Sequence, residues 1–272
     1  MLNATIYCHS LYDSMLNKIQ KAGYIPVGLG PNNFSGEWIR DNTLLNISNK
    51  NKYYAEYTFY YWYWKNILPK KKNNQWVGFC SYRELWGNKS KILKNSEFND
   101  VVLTKIPKQW EIYDTVIGEP IYINELKLSK LLKRGLWSLA RNPRAVFKNK
   151  RTIRFQFDMW HGNGYLDKAI DLLDDENRED FRLYTRENVS FSRGNMFVCK
   201  SKEIMENYFN SVFTWLEKCE TIFGFDLSGY GKTRIYAFLA ERYLSYWFNK
   251  YTKPLLWPVI FFDTINIKNE KN

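Results

Sequence analysis

Arg83 stands in the tetrapeptide Ser81-Tyr82-Arg83-Glu84, directly after the apolar run WVGFC. A guanidinium there can hold a diphosphate through a bidentate fork, neutralising electrostatically a leaving group that other sites neutralise with a metal ion. Tyr82 can stack or hydrogen-bond beside it. The ordinary alternative for Arg83 is a surface or structural salt bridge. A second constellation lies upstream in YYAEYTFYYWYWKN, where Glu56, Thr58, Lys65 and Asn66 interrupt a dense run of tyrosines and tryptophans. Any of these four that is buried must find a partner or cost roughly 1–3 kcal/mol. The segment reads as the wall of a polar site.

Several other chemistries lack their spacing. There is no GxxxxGK[ST], no GxGxxG and no GxSxG, and the short GYGKT at Gly229 to Thr233 follows no strand-like run, so ATP and serine hydrolysis recede. The Asp-x-Asp pair with which many nucleotide-sugar enzymes hold a divalent cation is also missing; Asp171, Asp174, Asp175 and Glu176 read as a solvated helix face. No metal ligands are assigned. The cofactor stays open, a divalent cation being compatible with the chain but not predicted from it. Cys8, Cys80, Cys199 and Cys219 show no paired spacing and read as reduced core thiols. With only His9 and His161 to add nitrogen ligands, a zinc site is not expected.

The elements that must position these residues alternate in type. ATIYCHS reads as a short buried strand and YIPVGLGPNNFSGEW as a loop. An aromatic helix runs from Asn51 or Lys52 to near Asn66, and a strand covers Gln75 to Cys80. YDTVIGEPIYI reads as a strand, ELKLSKLLKRGLWSLA as a helix, and RNPRAVFKNK as a loop holding Pro143. RFQF leads as a strand into a polar turn with Trp160, His161 and Asn163, and a helix follows. SFSRGNMFVC is a further strand. Ile204, Met205, Tyr208, Phe209, Val212, Trp215, Leu216 and Cys219 mark a core-facing helical stripe. A last helix runs from about Lys232 to Phe248, and LLWPVIFF closes the pattern as a strand or packing arm. This alternation predicts an α/β sheet with ligands outside the carboxyl ends of its strands, where CHS, SYRE and the loop before Asn46 converge.

At 272 residues the chain suits one domain with a substantial core. Its hydrophobic share of 45% argues against disorder, and aromatics at 18% supply either core or platforms for sugar rings and bases. No run of about eighteen apolar residues occurs, and no basic region leads into a signal-like stretch, so the expected location is cytoplasmic. The net charge of +12 is concentrated: from Lys127 to Arg154 cations occur with no acidic residue among them. Lys130, Lys133, Arg134 and Trp137, interleaved with leucines, resemble a basic amphipathic helix that lies peripherally on an anionic membrane surface. The alternatives are a solvated helix with its leucines in the core, and nucleic acid; no signature of a nucleic-acid partner accompanies the run.

Taken together, the motifs resemble a family of bacterial glycosyltransferases of capsule and O-antigen synthesis, first catalogued as a domain of unknown function and including galactofuranosyltransferases. The resemblance rests on IYCHS, RDNTLLNISNKN leading into YYAEYTFYYWYWKN, VGFCSYRELW, YDTVIGEP, NMFVCKSKEIMENYF and RIYAFLAERYLSYWF, and spans most of the chain. It implies a GT-A-like, Rossmann-type mixed sheet flanked by helices, in a single domain with a helical C-terminal part. Residues 1–123 would form the nucleotide-sugar half, 124–155 the basic amphipathic segment and 156–272 the acceptor-side half. It further implies transfer of a sugar from a UDP-sugar donor to a glycan or lipid-linked acceptor, at the inner face of the cytoplasmic membrane. Two motifs depart from the family's form: the usual His-Tyr-Arg-Arg reads Ser81, Tyr82, Arg83, Glu84, and the usual Asp-Asp-Thr-Gly reads Asp41, Asn42, Thr43, Leu44.

Carried over by position, the resemblance places His9, Arg40, Asp41, Asn46, Lys65, Tyr82 and Arg83 around the nucleotide sugar. Each has a structural alternative: a strand cap for His9, turn formers for Asp41 and Asn46, a helix-end cation for Lys65. Glu56 is expected to stabilise a helix junction. Trp160, His161, Arg193 and Asn195 are implied on the acceptor side, where a tryptophan beside hydrogen-bonding groups suits a sugar ring. With inversion, one carboxylate takes the acceptor proton. Asp226 is the first candidate, Asp158 and Glu241 the reserves. A different class of reading is a non-catalytic glycan- or membrane-binding module.

Overall fold

The computed structural model describes residues 4–88, 101–125 and 136–261. Among the described residues are eleven strands: β1 Ala4–Ser10, β2 Ile25–Gly28, β3 Ile39–Arg40, β4 Trp76–Ser81, β5 Glu84–Trp86, β6 Thr115–Gly118, β7 Pro120–Tyr122, β8 Ser190–Ser192, β9 Phe197–Cys199, β10 Leu255–Trp257 and β11 Val259–Phe261. Seven of them form the central sheet in the order β10-β6-β9-β4-β1-β2-β3, while β11 pairs with β5 and β7 with β8. β1 pairs in parallel with β2 and β4, β2 with β3, and β10 with β6. β9 runs antiparallel between β4 and β6. The α/β architecture with a mostly parallel sheet is therefore present as expected. The chain leaves β1 for β2 and β3 on one side and returns as β4 on the other, making the carboxyl ends of β1 and β4 a topological switch point.

Period-two alternation assigns the strand residues to two cores. Tyr7, Val77, Phe79 and Phe197 face a layer built from the Tyr57–Asn66, Lys202–Phe223 and Ile235–Tyr251 helices. Ile6, Cys8, Trp76, Cys80 and Val198 face the other layer, with Trp86, Trp110 and Trp257. Gly78 permits the close approach of β9, since a Cβ there would lie 2.8 Å from the Val198 side chain. All four cysteines are buried and free.

Several elements differ from expectation for identifiable reasons. The aromatic helix is two helices, Asn51–Tyr54 and Tyr57–Asn66, broken where Ala55 takes φ 49°. The Asn51 amide stabilises the break by donating to Ala55 O and Thr58 Oγ1. A strand, β2, lies in the stretch read as a loop. The YDTVIGEPIYI strand divides into β6 and β7, and SFSRGNMFVC into β8 and β9. RFQF is helical: Thr152 accepts a hydrogen bond from Phe155 N and caps the helix Ile153–His161, so Trp160 and His161 sit in its last turn rather than after a strand. The loop with Pro143 folds into short 3-10 turns, Pro143–Val146 and Lys148–Lys150. Of the basic helix, Leu136–Arg141 is helical; Lys130, Lys133 and Arg134 lie outside the described residues.

Candidate active site

The strand-end tetrapeptide is built by hydrogen bonds within itself and to β1. Ser81 Oγ accepts from the backbone N–H groups of Arg83 and Glu84 at 3.2 and 3.0 Å, and Tyr82 N donates to His9 O at 2.9 Å. The serine that departs from the family pattern therefore makes the turn that presents Arg83. A cavity of about 280 Å³ opens here, walled by the ends of β1 and β4, the Ala55–Glu56 break, the 193–195 turn and the start of the Ile235–Tyr251 helix.

His9, Tyr82, Arg83, Arg193 and Asn195, all singled out from the sequence, line this cavity together. Glu56, read from the sequence as part of a polar wall, and Glu241, a reserve base, line it too, and the structure adds Glu84, Tyr230 and Arg234. Among the described residues, Arg83 and Arg234 have no carboxylate partner. The Arg83 guanidinium lies over the Tyr82 ring at 5.6 Å, and Arg234 over the Tyr230 ring at 5.4 Å, with a hydrogen bond to its hydroxyl. Arg234 also occupies the N-cap of a seventeen-residue helix, where the backbone dipole disfavours a cation and favours an anion. Burial, helped by the Arg234 charge, pulls His9 down to about 3, so its imidazole is neutral near pH 7. His9 Nδ1 and Asn195 Oδ1 are buried without a hydrogen-bond partner, which for groups at a cavity wall marks where a ligand would complete the bonding.

The turn Arg193-Gly194-Asn195 is held by three glutamates from three elements. Glu84 pairs with Arg193, Glu241 accepts from Gly194 N at 2.9 Å, and Glu56 accepts from Asn195 Nδ2 at 2.6 Å. Tyr60 adds a hydroxyl bond to Asn195 O at 2.7 Å. Gly194 has φ +87°, and a Cβ on it would press on the Glu84 carboxylate, so this position needs glycine. Burial raises the pKa of both Glu56 and Glu84, opposed by Asn195 and Arg193 respectively. Glu241 gives its second oxygen to Arg242, and both of its oxygens are thus occupied. Of the three glutamates, Glu84 and Glu241 are ion-paired, with Arg193 and Arg242, whereas Glu56 has no ion-pair partner among the described residues.

Other residues singled out from the sequence do not line the cavity. Arg40 holds the preceding loop by donating to Gly30 O and Asn32 O and stacking on Phe34. Asp41 is buried against Thr58, at the helix break, and burial raises its pKa. Asn46 is a turn former, accepting from Ser48. Lys65 covers the Trp64 ring in the last turn of its helix, about 13 Å along the axis from Glu56 at 1.5 Å per residue. Asp226 is exposed, and Asp158 caps a turn by accepting from Gly164 N; neither reaches the cavity. Trp160 ends its helix 36% exposed. His161 is buried against Phe238, its Nδ1 bonded to Gly231 O and its Nε2 to Arg242, and burial beside Arg242 pulls it down to about 3. It therefore supports Arg242 and Glu241 from behind the site.

A larger groove of about 690 Å³ lies at the opposite end of β9, beside Ser201. Two of its three acids are already engaged in structure: Asp174 caps a helix through Asn177 N, and Glu176 accepts from the Tyr251 hydroxyl. Among the described residues no three His, Cys, Asp or Glu side chains converge as metal ligands.

Residues 4–253 match the family described as a domain of unknown function, DUF4422. Among solved structures, the chain is similar to the apo structure of WbbM, a bifunctional glycosyltransferase, with a TM-score of 0.64 and 16% identity over 95% of this chain. It spans 45% of that chain's length. At this identity the likeness establishes a shared fold. No curated protein matches.

Proposed function

The chain belongs to the DUF4422 family, and from that membership, the glycosyltransferase fold and the rim cavity we propose that it transfers a sugar from a nucleoside diphosphate to an acceptor hydroxyl. One observation carries this reading: two arginines without carboxylate partners, Arg83 and Arg234, flank a neutral, unpartnered His9 at the switch point of the sheet. That arrangement suits a diphosphate with an uncharged group attached. The proposed donor is a UDP-sugar, with galactofuranose the first to test because the resembled family includes galactofuranosyltransferases. The proposed acceptor is a glycan or lipid-linked glycan.

In the proposed step the acceptor oxygen attacks the anomeric carbon as the bond from that carbon to the diphosphate oxygen breaks, inverting the centre. The hydroxyl proton passes to the Glu56 carboxylate, and the negative charge appearing on the diphosphate falls to Arg83 and Arg234. A buried carboxylate of raised pKa is suited to accept a proton near neutral pH. Glu56 replaces Asp226 and Asp158 in this role because it lines the cavity and they do not. Glu84 and Glu241 position the turn that carries Asn195 toward the acceptor.

Calorimetric titration of UDP, with and without a divalent cation, tests the donor half. Binding by the parent, about tenfold weaker in each of Arg83→Ala and Arg234→Ala, is expected for loss of one charge-assisted contact. Unchanged affinity in the double variant would remove both arginines from the site, and no binding by the parent would overturn the donor assignment.

A further inference from the structure

We propose that the surface formed by residues 136–150 docks on an anionic lipid bilayer. In the helix Leu136–Arg141, Ser138 and Leu139 turn inward, with Leu139 packed against Ala145 and Phe155. The opposite face leaves Trp137 79% exposed, with Arg141 exposed one turn further on. Val146 and Phe147 are 51% and 66% exposed at the junction of the two 3-10 turns. Large apolar groups set so far into water mark an interaction surface.

Arg151 explains why these side chains are held outward. It is 4% exposed and donates to the carbonyl oxygens of Ala145, Val146 and Asn124, so a cation of the basic run is spent on fixing the turn that displays Val146 and Phe147. Arg154 is likewise spent on Asp167. The remaining cations of the surface differ. Arg141, Arg144 and Lys150 are exposed with no ion-pair partner among the described residues, whereas Lys148 pairs with Glu125.

Aromatic and aliphatic side chains bordered by unpaired cations match the interface of an anionic bilayer: Trp and Phe enter the headgroup boundary while Arg and Lys meet lipid phosphates. A second copy of the chain fits less well, because a self-complementary contact would bring these cations against one another. The surface also lies next to the site. Its helix packs, through Leu139 and Met159, on the Ile153–His161 helix, whose His161 holds Gly231 beside Tyr230 of the cavity wall. The proposal does not depend on the catalytic reading.

The test is sedimentation of the full chain with vesicles of pure phosphatidylcholine and with an equal mixture of phosphatidylcholine and phosphatidylglycerol. The parent is expected to bind the mixed vesicles and not the neutral ones. The Trp137→Ala, Phe147→Ala double variant should bind the mixed vesicles at least about tenfold more weakly, with an unchanged circular dichroism melt because both side chains are exposed. Arg144→Glu with Lys150→Glu should weaken binding and reduce its salt sensitivity. Equal binding to both vesicle types, no binding, or undiminished binding by the double variant overturns the proposal. So does a parent dimer in sedimentation equilibrium that the double variant abolishes, or retention on RNA without vesicle binding.

Discussion

Glu56 is where burial and chemistry can be separated by pH. Its folded pKa lies above the ordinary 4.5 because burial penalises the charge, so its contribution to stability is full at low pH and is lost as pH rises through the raised value. Glu56→Gln should therefore melt at or above the parent temperature at neutral pH. As the proposed base, Glu56 must be deprotonated, so turnover should rise with pH through the same raised value, and Glu56→Gln should lose about a hundredfold or more in rate together with that acid limb. Full activity in Glu56→Gln would assign the residue to structure alone. The two histidines carry the opposite sign. His9 and His161 fall from 6.5 to about 3 on folding, so their contribution is present above 6.5 and is lost as pH drops from there toward 3. A melting temperature that declines over that window, less steeply in His9→Gln, is the expected thermal profile. Of the residues singled out from the sequence, His9, Tyr82 and Arg83 on the donor side, Arg193 and Asn195 on the acceptor side and Glu241 as a reserve base line one cavity, whereas Arg234 was not singled out and Glu56 was expected to serve a helix junction. Arg234 was legible in principle as a cation at a helix start, against the helix dipole; Glu56 depended on a helix break that no proline or glycine announces.

The elements that matter most are the two irregular ones. Gly194→Ala would combine a disfavoured φ with a clash against the Glu84 carboxylate, and should cost about 1–3 kcal/mol and loosen the turn that holds Asn195. Urea denaturation with a parallel activity assay checks both. Ala55 adopts φ 49° and ψ −128°, a region that favours glycine, so Ala55→Gly should raise stability by about 1 kcal/mol and preserve the break; a loss of stability would show that the alanine is not strained there. Helix termini at Ser201, Asp174 and Thr152 carry side-chain caps; the first border was close to legible from pattern, whereas Asp174, read with Asp171, Asp175 and Glu176 as one helix face, caps a new helix after Asp171 ends the one before. RFQF was not, because four residues alternating in polarity fit a strand and the start of an amphipathic helix equally, and Thr152 decides between them through a bond to Phe155 N. Likewise SFSRGNMFVC reads as one strand, yet two consecutive positive φ values at Gly194 and Asn195 divide it. That division makes the site.

At the scale of the molecule, alternation of strand-like and helical runs was enough to establish the α/β class, and it led to the expectation of a site at the strand ends, where the rim cavity opens. It disclosed SFSRGNMFVC as strand-forming but not where its second half, β9, pairs. Three residues from late in the chain insert antiparallel between β4 and β6, and such long-range pairing leaves no local trace in composition. The insertion carries the 193–195 turn to the same rim as β1 and β4, so residues far apart in sequence close one cavity. The surface at 136–150 packs on the Ile153–His161 helix, which reaches the cavity wall through the His161 bond to Gly231 O. The central claim, that the rim cavity cleaves a nucleoside diphosphate sugar, is tested most directly by measuring UDP release from a panel of UDP-sugars in the presence of glycan acceptors. The account predicts release by the parent from at least one donor, and release at least about a hundredfold slower in the Arg83→Ala, Arg234→Ala double variant of unchanged melting temperature. Acceptor-dependent release that is equal in parent and double variant, or no release from any donor together with no UDP binding, would contradict it.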